Sequence, residues 1–187
     1  MKHIMLAGAI LSLGLMSGCA HVVPPYQESV ENVIKLERGG TTKVKVGEFT
    51  ADAGLESLRS RGNKFKSPYK ESFSEYLHEA LQLELARAGR LDPNAGIRVD
   101  AVLQKNDLDI SGFDIGSLEI AARFSVHKNS TVTYNQVKSA RKEWSSSFIG
   151  AVAIPLARDA YPSVMAQFID RDANAVMHAG IKDTVAA

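Results

Sequence analysis

Few side chains in this 187-residue chain have the type and spacing that chemistry requires, and Cys19 stands first among them. It is the only cysteine, so its thiol has no disulfide partner within the chain. A second constellation is Asp107-x-Asp109-x-Ser111-Gly112, which places oxygen ligands at alternate positions before a glycine, as in the first half of a calcium loop. The twelfth position, however, is Leu118, where such a loop needs a bidentate carboxylate, and strand patterns flank the segment. It is read as a polar strand-to-loop transition, and no metal is expected. A third is the basic run Arg59, Arg61, Lys64, Lys66 and Lys70, whose charge suits lipid phosphates, lipopolysaccharide or an acidic protein surface. A solvated loop is the plainer reading.

The remaining reactive types do not assemble. His78, His127 and His178 fall in different elements with no ligand at metal spacing nearby. Ser145-Ser146-Ser147 lacks a nucleophile elbow and an assignable acid–base partner. No phosphate loop or dinucleotide fingerprint occurs. A non-enzymatic protein without a cofactor is expected, with Trp144 and Phe148 placed in the core.

Cys19 gains meaning from what precedes it. Lys2 and His3 lead into an apolar run, Ile4 to Met16, then small residues Ser17 and Gly18. The run suits a secretory signal peptide and falls short of the roughly 20 residues that span a bilayer. Leu15-Met16-Ser17-Gly18-Cys19 resembles the bacterial lipobox, with Met16 where Leu is commoner. The resemblance implies removal of residues 1–18, a thioether-linked lipid on Cys19, and acylation of its new amino terminus. An ordinary secretory signal would leave the lone thiol unexplained. Ala20 follows rather than Asp, which by the same resemblance implies the outer membrane, facing the periplasm. Two or more acyl chains anchor stably where one holds only marginally.

Loss of Lys2 lowers the formal net charge of +1 to zero, and that balance argues against a nucleic-acid partner. Without a second thiol, stability in an oxidising compartment must come from packing.

The elements that position these residues follow from periodicity. Residues 19–38, with Pro24-Pro25, are expected to form a tether, and 39–187 a single domain entered at Gly39-Gly40. Thr41 to Thr50 is a first strand, followed by a loop from about Ala51 to Ser67. Ser67 as N-cap and Pro68 as first helical residue open a helix with Phe73, Leu77, Leu81 and Leu85 on one stripe and Gly89 as terminator. Ile97 to Leu103 alternates as a second strand, with a phase slip that calls for a bulge near Asn106. Leu118 to Val126 is a third strand, turned by Lys128-Asn129-Ser130 into a fourth that carries Val132, Tyr134 and Trp144. A terminal helix carries Tyr161 through Met177 and ends at Gly180; it starts near Tyr161, or else Pro162 kinks a longer one. The expected fold is α+β in the order β-α-β-β-β-α, a small mixed four-stranded sheet with both helices on one face and the other face partly wet.

This layout, with Ser72 to Gly89 (SFSEYLHEALQLELARAG) and Trp144 to Gly150, resembles small Gram-negative outer-membrane lipoproteins. Among them are the LptE-like, ABC-transport auxiliary (PqiC-like) and YajG-like families. The resemblance covers architecture over most of the mature chain and carries over no functional residue. It implies a lipid-anchored accessory subunit of an envelope transport or assembly complex, with an envelope protein as partner. A lipid or small-molecule binding module is the alternative.

Overall fold

The structure is a computed structural model, and it describes residues 20–170. In chain order the elements are β1 (Ala20–Val22), α1 (Val30–Arg38), β2 (Lys45–Ala51), β3 (Leu58–Ser60), β4 (Asn63–Lys66), α2 (Phe73–Arg87), β5 (Ile97–Asp109), β6 (Ile115–Lys128), β7 (Thr131–Ser145) and α3 (Gly150–Phe168). The fold is α+β: among the described residues, three helices accompany a four-stranded and a three-stranded mixed sheet.

The larger sheet has the order β2-β5-β6-β7, with β2 parallel to β5 and the other neighbours antiparallel. With α2 and α3 it makes up the expected β-α-β-β-β-α series. Alternation explains the inner face: Val99, Ala101 and Leu103 of β5 lie beside Leu118, Ile120, Ala122 and Phe124 of β6, all buried. The stripe Phe73, Leu77, Leu81 and Leu85 of α2 joins the same core, and Phe168 of α3 stacks on Phe124 with centroids 5.8 Å apart. Each fully buried side chain of this size contributes roughly 1.5–3 kcal/mol by leaving water. The outer face is polar, with Glu119 bridging Lys105 at 2.8 Å and Arg141 at 3.7 Å.

The phase slip lies where the sequence places it. Register shifts between Leu103 and Lys105, and this turns Asn106 inward, where the Tyr161 hydroxyl donates to its side-chain oxygen at 3.2 Å. The Asn129-Ser130 turn has positive φ at both residues, as a two-residue hairpin of matching twist requires.

Three expectations are corrected. The segment 19–38 is not a free tether where it is described: β1 enters the small sheet, and Val23, Tyr26, Val33 and Leu36 are buried. The expected loop 51–67 contains a hairpin, β3–β4, whose turn residues Arg61 (φ 51°) and Gly62 (φ 76°) are both left-handed. Helix α2 begins after Ser72, not at Ser67. The Ser67 hydroxyl instead accepts the Tyr69 N–H, Lys70 and Glu71 take positive φ, and Ser72 caps Glu75 N–H at 3.1 Å. Of the two forms open to the last helix, the structure has the longer: α3 begins at Gly150 and holds Pro162, with Pro155 inside it as well. The expected end at Gly180 lies outside the described residues, as does His178.

Helix α2 closes as its sequence predicts. Gly89 takes φ 65°, and the N–H groups of Gly89 and Arg90 return to the carbonyls of Ala86 and Leu85. The Arg90 side chain is buried beyond it, donating to the carbonyls of Thr42 (3.0 Å) and Leu36 (3.3 Å). Burial lowers its pKa.

Candidate functional site

The candidate site is the end of the domain where the chain enters from Cys19. Cys19 itself lies outside the described residues. The next residue, Ala20, is already paired with Lys64 in a parallel β1–β4 ladder. The His21 ring Nε2–H donates to Asn63 Oδ1 (3.2 Å), and the ring tilts against Phe65. His21 also lines a shallow cavity of about 180 Å³ with Gly150, Ala151, Ile154, Pro155 and Arg158 at the start of α3.

The basic run converges on the same small sheet but divides in use. Lys66 pairs with Glu71 at 2.6 Å and Lys70 with Glu75 at 2.9 Å. Both pairs are partly solvated and contribute little to stability. Arg61 turns inward on the main chain, donating to the carbonyls of Phe148 (2.7 Å), Ile110 (3.4 Å) and Ser147 (3.4 Å). Its guanidinium also lies over the Phe148 ring at 5.6 Å. Arg59 and Lys64 face each other across the hairpin, and among the described residues neither has a carboxylate within ion-pair distance. Hence, among the described residues, Arg59 and Lys64 are the members of the run, besides the inward-turned Arg61, whose charge no ion pair takes up.

Beside them is an aromatic tip that sequence reasoning placed elsewhere. Phe148 is not core: it is 60% exposed, and it stacks on Phe113, 78% exposed, with centroids 5.5 Å apart and planes 18° from parallel. Ile149 and Ile115 are exposed next to them. Trp144 does pack against the core, over Gly116. Phe113 and Phe148 lie in loops, so no period marks them; the apolar pair Phe148-Ile149 directly after three serines is the available signal.

The calcium-like half-motif does not form a loop. Asp107 and Asp109 belong to β5, and Asp109 accepts from both the N–H and hydroxyl of Ser111 at 2.8 and 2.6 Å. Those bonds hold its carboxyl below the usual carboxylate range. The acidic and imidazole groups that do come together are Glu75, His78 and Glu79 on α2. Glu75 already holds Lys70, and His78 packs edge-on against Phe49 at 5.3 Å. At the far end of the sheet, Lys45, Asn94, Arg98, His127 and Asn129 line an open polar cleft of about 450 Å³. There Asp100 takes up Arg98 at 2.8 Å and His127 at 3.0 Å.

Sequence reasoning also missed Glu84. Its side chain is fully buried on α2 and one oxygen accepts from the Tyr26 hydroxyl, the Ser29 N–H (2.9 Å) and the Asn32 amide (3.2 Å). Burial raises its pKa, opposed by these bonds. Burial likewise pushes Tyr26 and Tyr161 well above the ordinary phenol value, so both remain neutral donors. The space between sheet and helices is filled by rings: Tyr161 lies 4.7 Å from Phe73 and 5.0 Å from Tyr76.

No family model matches this chain, and no curated protein matches its sequence. Solved structures do match its shape. Protein XCC0632 from Xanthomonas campestris, described by the family DUF330, is similar at a TM-score of 0.63 over 89% of this chain and 99% of that one, with 10% identity. Protein CT253 from Chlamydia trachomatis is similar at 0.50 over 76% and 98%, with 13% identity. A candidate lipoprotein from Caulobacter crescentus CB15 reaches 0.48 over 84% and 100%, with 12% identity. The likeness is one of fold.

Among the described residues no helix is long and apolar enough to cross a membrane.

Proposed function

We propose that this chain is a lipid-anchored, non-enzymatic accessory subunit of an envelope transport or assembly complex, held at the outer membrane through acylated Cys19 and facing the periplasm. The observation that carries the partner-binding role is the outer edge of β7. This strand runs 15 residues, Thr131–Ser145, and ends the sheet, so among the described residues one row of its backbone groups has no strand partner. Such an edge accepts an added strand from another chain, with main-chain hydrogen bonds supplying affinity. Lys138 and Lys142 share one face of the strand, and Arg141 and Glu143 share the other. Repeated like charge discourages self-pairing and leaves the edge to a partner of complementary charge.

The test is photocrosslinking in cells. A photoreactive residue at Val137 on β7, 46% exposed, should trap one specific larger envelope protein, while the same residue at Ile34 on α1 should not. Equal, diffuse labelling from both positions sinks the proposal.

A further inference from the structure

We infer that the end of the domain built from the Phe113–Phe148 pair, Ile149, Arg59 and Lys64 is a membrane-docking face that lies on the phospholipid surface holding the acyl chains of Cys19. The inference rests on the lipid anchor of the proposed function and adds the orientation of the domain. Three independent observations converge on it.

The first is where the chain enters. Consecutive Cα atoms are about 3.8 Å apart, and Ala20 is already in the β1–β4 ladder, so Cys19 can lie no farther than one residue from the small sheet. Parallel pairing puts the start of β1 at the same end of β4 as the Arg61-Gly62 turn. Arg61 reaches from that turn to the carbonyl of Phe148 at 2.7 Å. His21, two residues from Cys19, shares its cavity with Gly150, two residues from Phe148. The anchor and the aromatic tip are therefore neighbours.

The second is chemistry. Two large rings, 78% and 60% exposed, stacked on each other and flanked by Ile149, form a contiguous apolar projection that water disfavours. A lipid interface accommodates such rings. The third is charge. Arg59 and Lys64 lie on the hairpin that carries Arg61, and anionic headgroups attract surface cations of this kind within a Debye length. A hydrophobic tip with cations on the adjoining hairpin complements a headgroup layer over hydrocarbon.

Trp144, the only tryptophan of the chain, packs on Gly116 at the base of this tip and reports on it directly. The acylated full-length protein is reconstituted in vesicles of phosphatidylethanolamine and phosphatidylglycerol, with a fraction of lipid nitroxide-labelled at the headgroup or high on the acyl chain. Wild-type Trp144 fluorescence should be quenched by the shallow label. Phe113→Ser with Phe148→Ser should lose that quenching while circular dichroism stays native, as both positions are exposed. Arg59→Glu with Lys64→Glu should lose it on anionic vesicles and keep it on neutral ones. Acylation of Cys19 is read separately by mass. Acylated protein whose Trp144 is not quenched overturns the docking face alone, and a crosslink from Phe148 to a protein would then assign the tip to that partner. Absence of acylation overturns both the anchor and this inference.

Discussion

The buried carboxylate of Glu84 on α2 accepts the hydroxyl proton of Tyr26, a residue 58 positions earlier. With Ser29 and Asn32 as further donors, this contact converts the entry segment into part of the domain. Glu84→Ala would leave several buried donors without an acceptor and should destabilise the fold by about 2–4 kcal/mol, whereas Tyr26→Phe should cost about 1 kcal/mol. Urea unfolding measures both. Equal, near-zero effects would mean that the segment is not held this way.

The same carboxyl fixes the sign of a pH effect. Its folded pKa is raised above the ordinary 4.5, so the folded state binds the proton more tightly than the unfolded chain. Its contribution is complete below about 4.5 and is lost as pH rises from there through the folded value. Carboxylates nearer the surface, the exposed Glu71 and half-buried Glu119, are held low by lysines and act in the opposite sense. Comparing wild type with Glu84→Gln isolates the buried group: the difference in stability should shift steadily above 4.5 in favour of the variant.

Gly116 is held to hydrogen by Trp144. A Cβ there would sit 2.7 Å from the indole Cε2 atom and 2.8 Å from Nε1. Gly116→Ala should displace the ring, cost about 1–3 kcal/mol by overpacking, and shift Trp144 emission to longer wavelength. Unchanged emission would show that the indole does not rest there.

Arg61 ties the small sheet to the β7–α3 connection through carbonyls of Ile110, Ser147 and Phe148. Arg61→Ala should cost about 1–2 kcal/mol and speed proteolysis after Ser145. Arg61→Lys should rescue little, since a single ammonium cannot fork between separated acceptors.

Cys19→Ala should abolish lipid labelling and release a folded domain into the soluble fraction. Cys19→Ser should behave the same way, because a hydroxyl forms no thioether. Persistent labelling would overturn the anchor.

Much of the fold was legible because its signals are local. The alternation in Leu118 to Val126, the stripe from Phe73 to Leu85 and the positive-φ stop at Gly89 each announce an element by period or backbone freedom. The slip near Asn106 could be read as well, since an odd insertion moves every later side chain across the sheet. What stayed hidden depends on distant partners. Strands β3 and β4 span three and four residues, too short for a period, and only Arg61-Gly62 between Leu58 and Phe65 hints at a hairpin. Residues 20–38 look polar enough for a tether because their burial is decided by Glu84. Arg59 and Lys64 could be picked out as cations, yet nothing local showed that Lys66, Lys70 and Arg61 would be taken by neighbours.

The pairing of Ala20 with Lys64 also bears on how the domain explores its surroundings. A flexible tether of the length first expected would allow a root-mean-square excursion of roughly 25 Å from the lipid. With Cys19 acylated as proposed, the strand begins one residue later, and the peptide part of that excursion falls to about a single Cα–Cα step. In the proposed arrangement the domain diffuses in the plane of its membrane, close to the lipid rather than at the end of a long tether. Much of the rotational and translational entropy that a complex would otherwise lose on forming is already gone before the partner arrives. Under the proposed function, a partner embedded in the same membrane would meet the β7 edge at high effective concentration, and weak strand pairing would suffice to hold it.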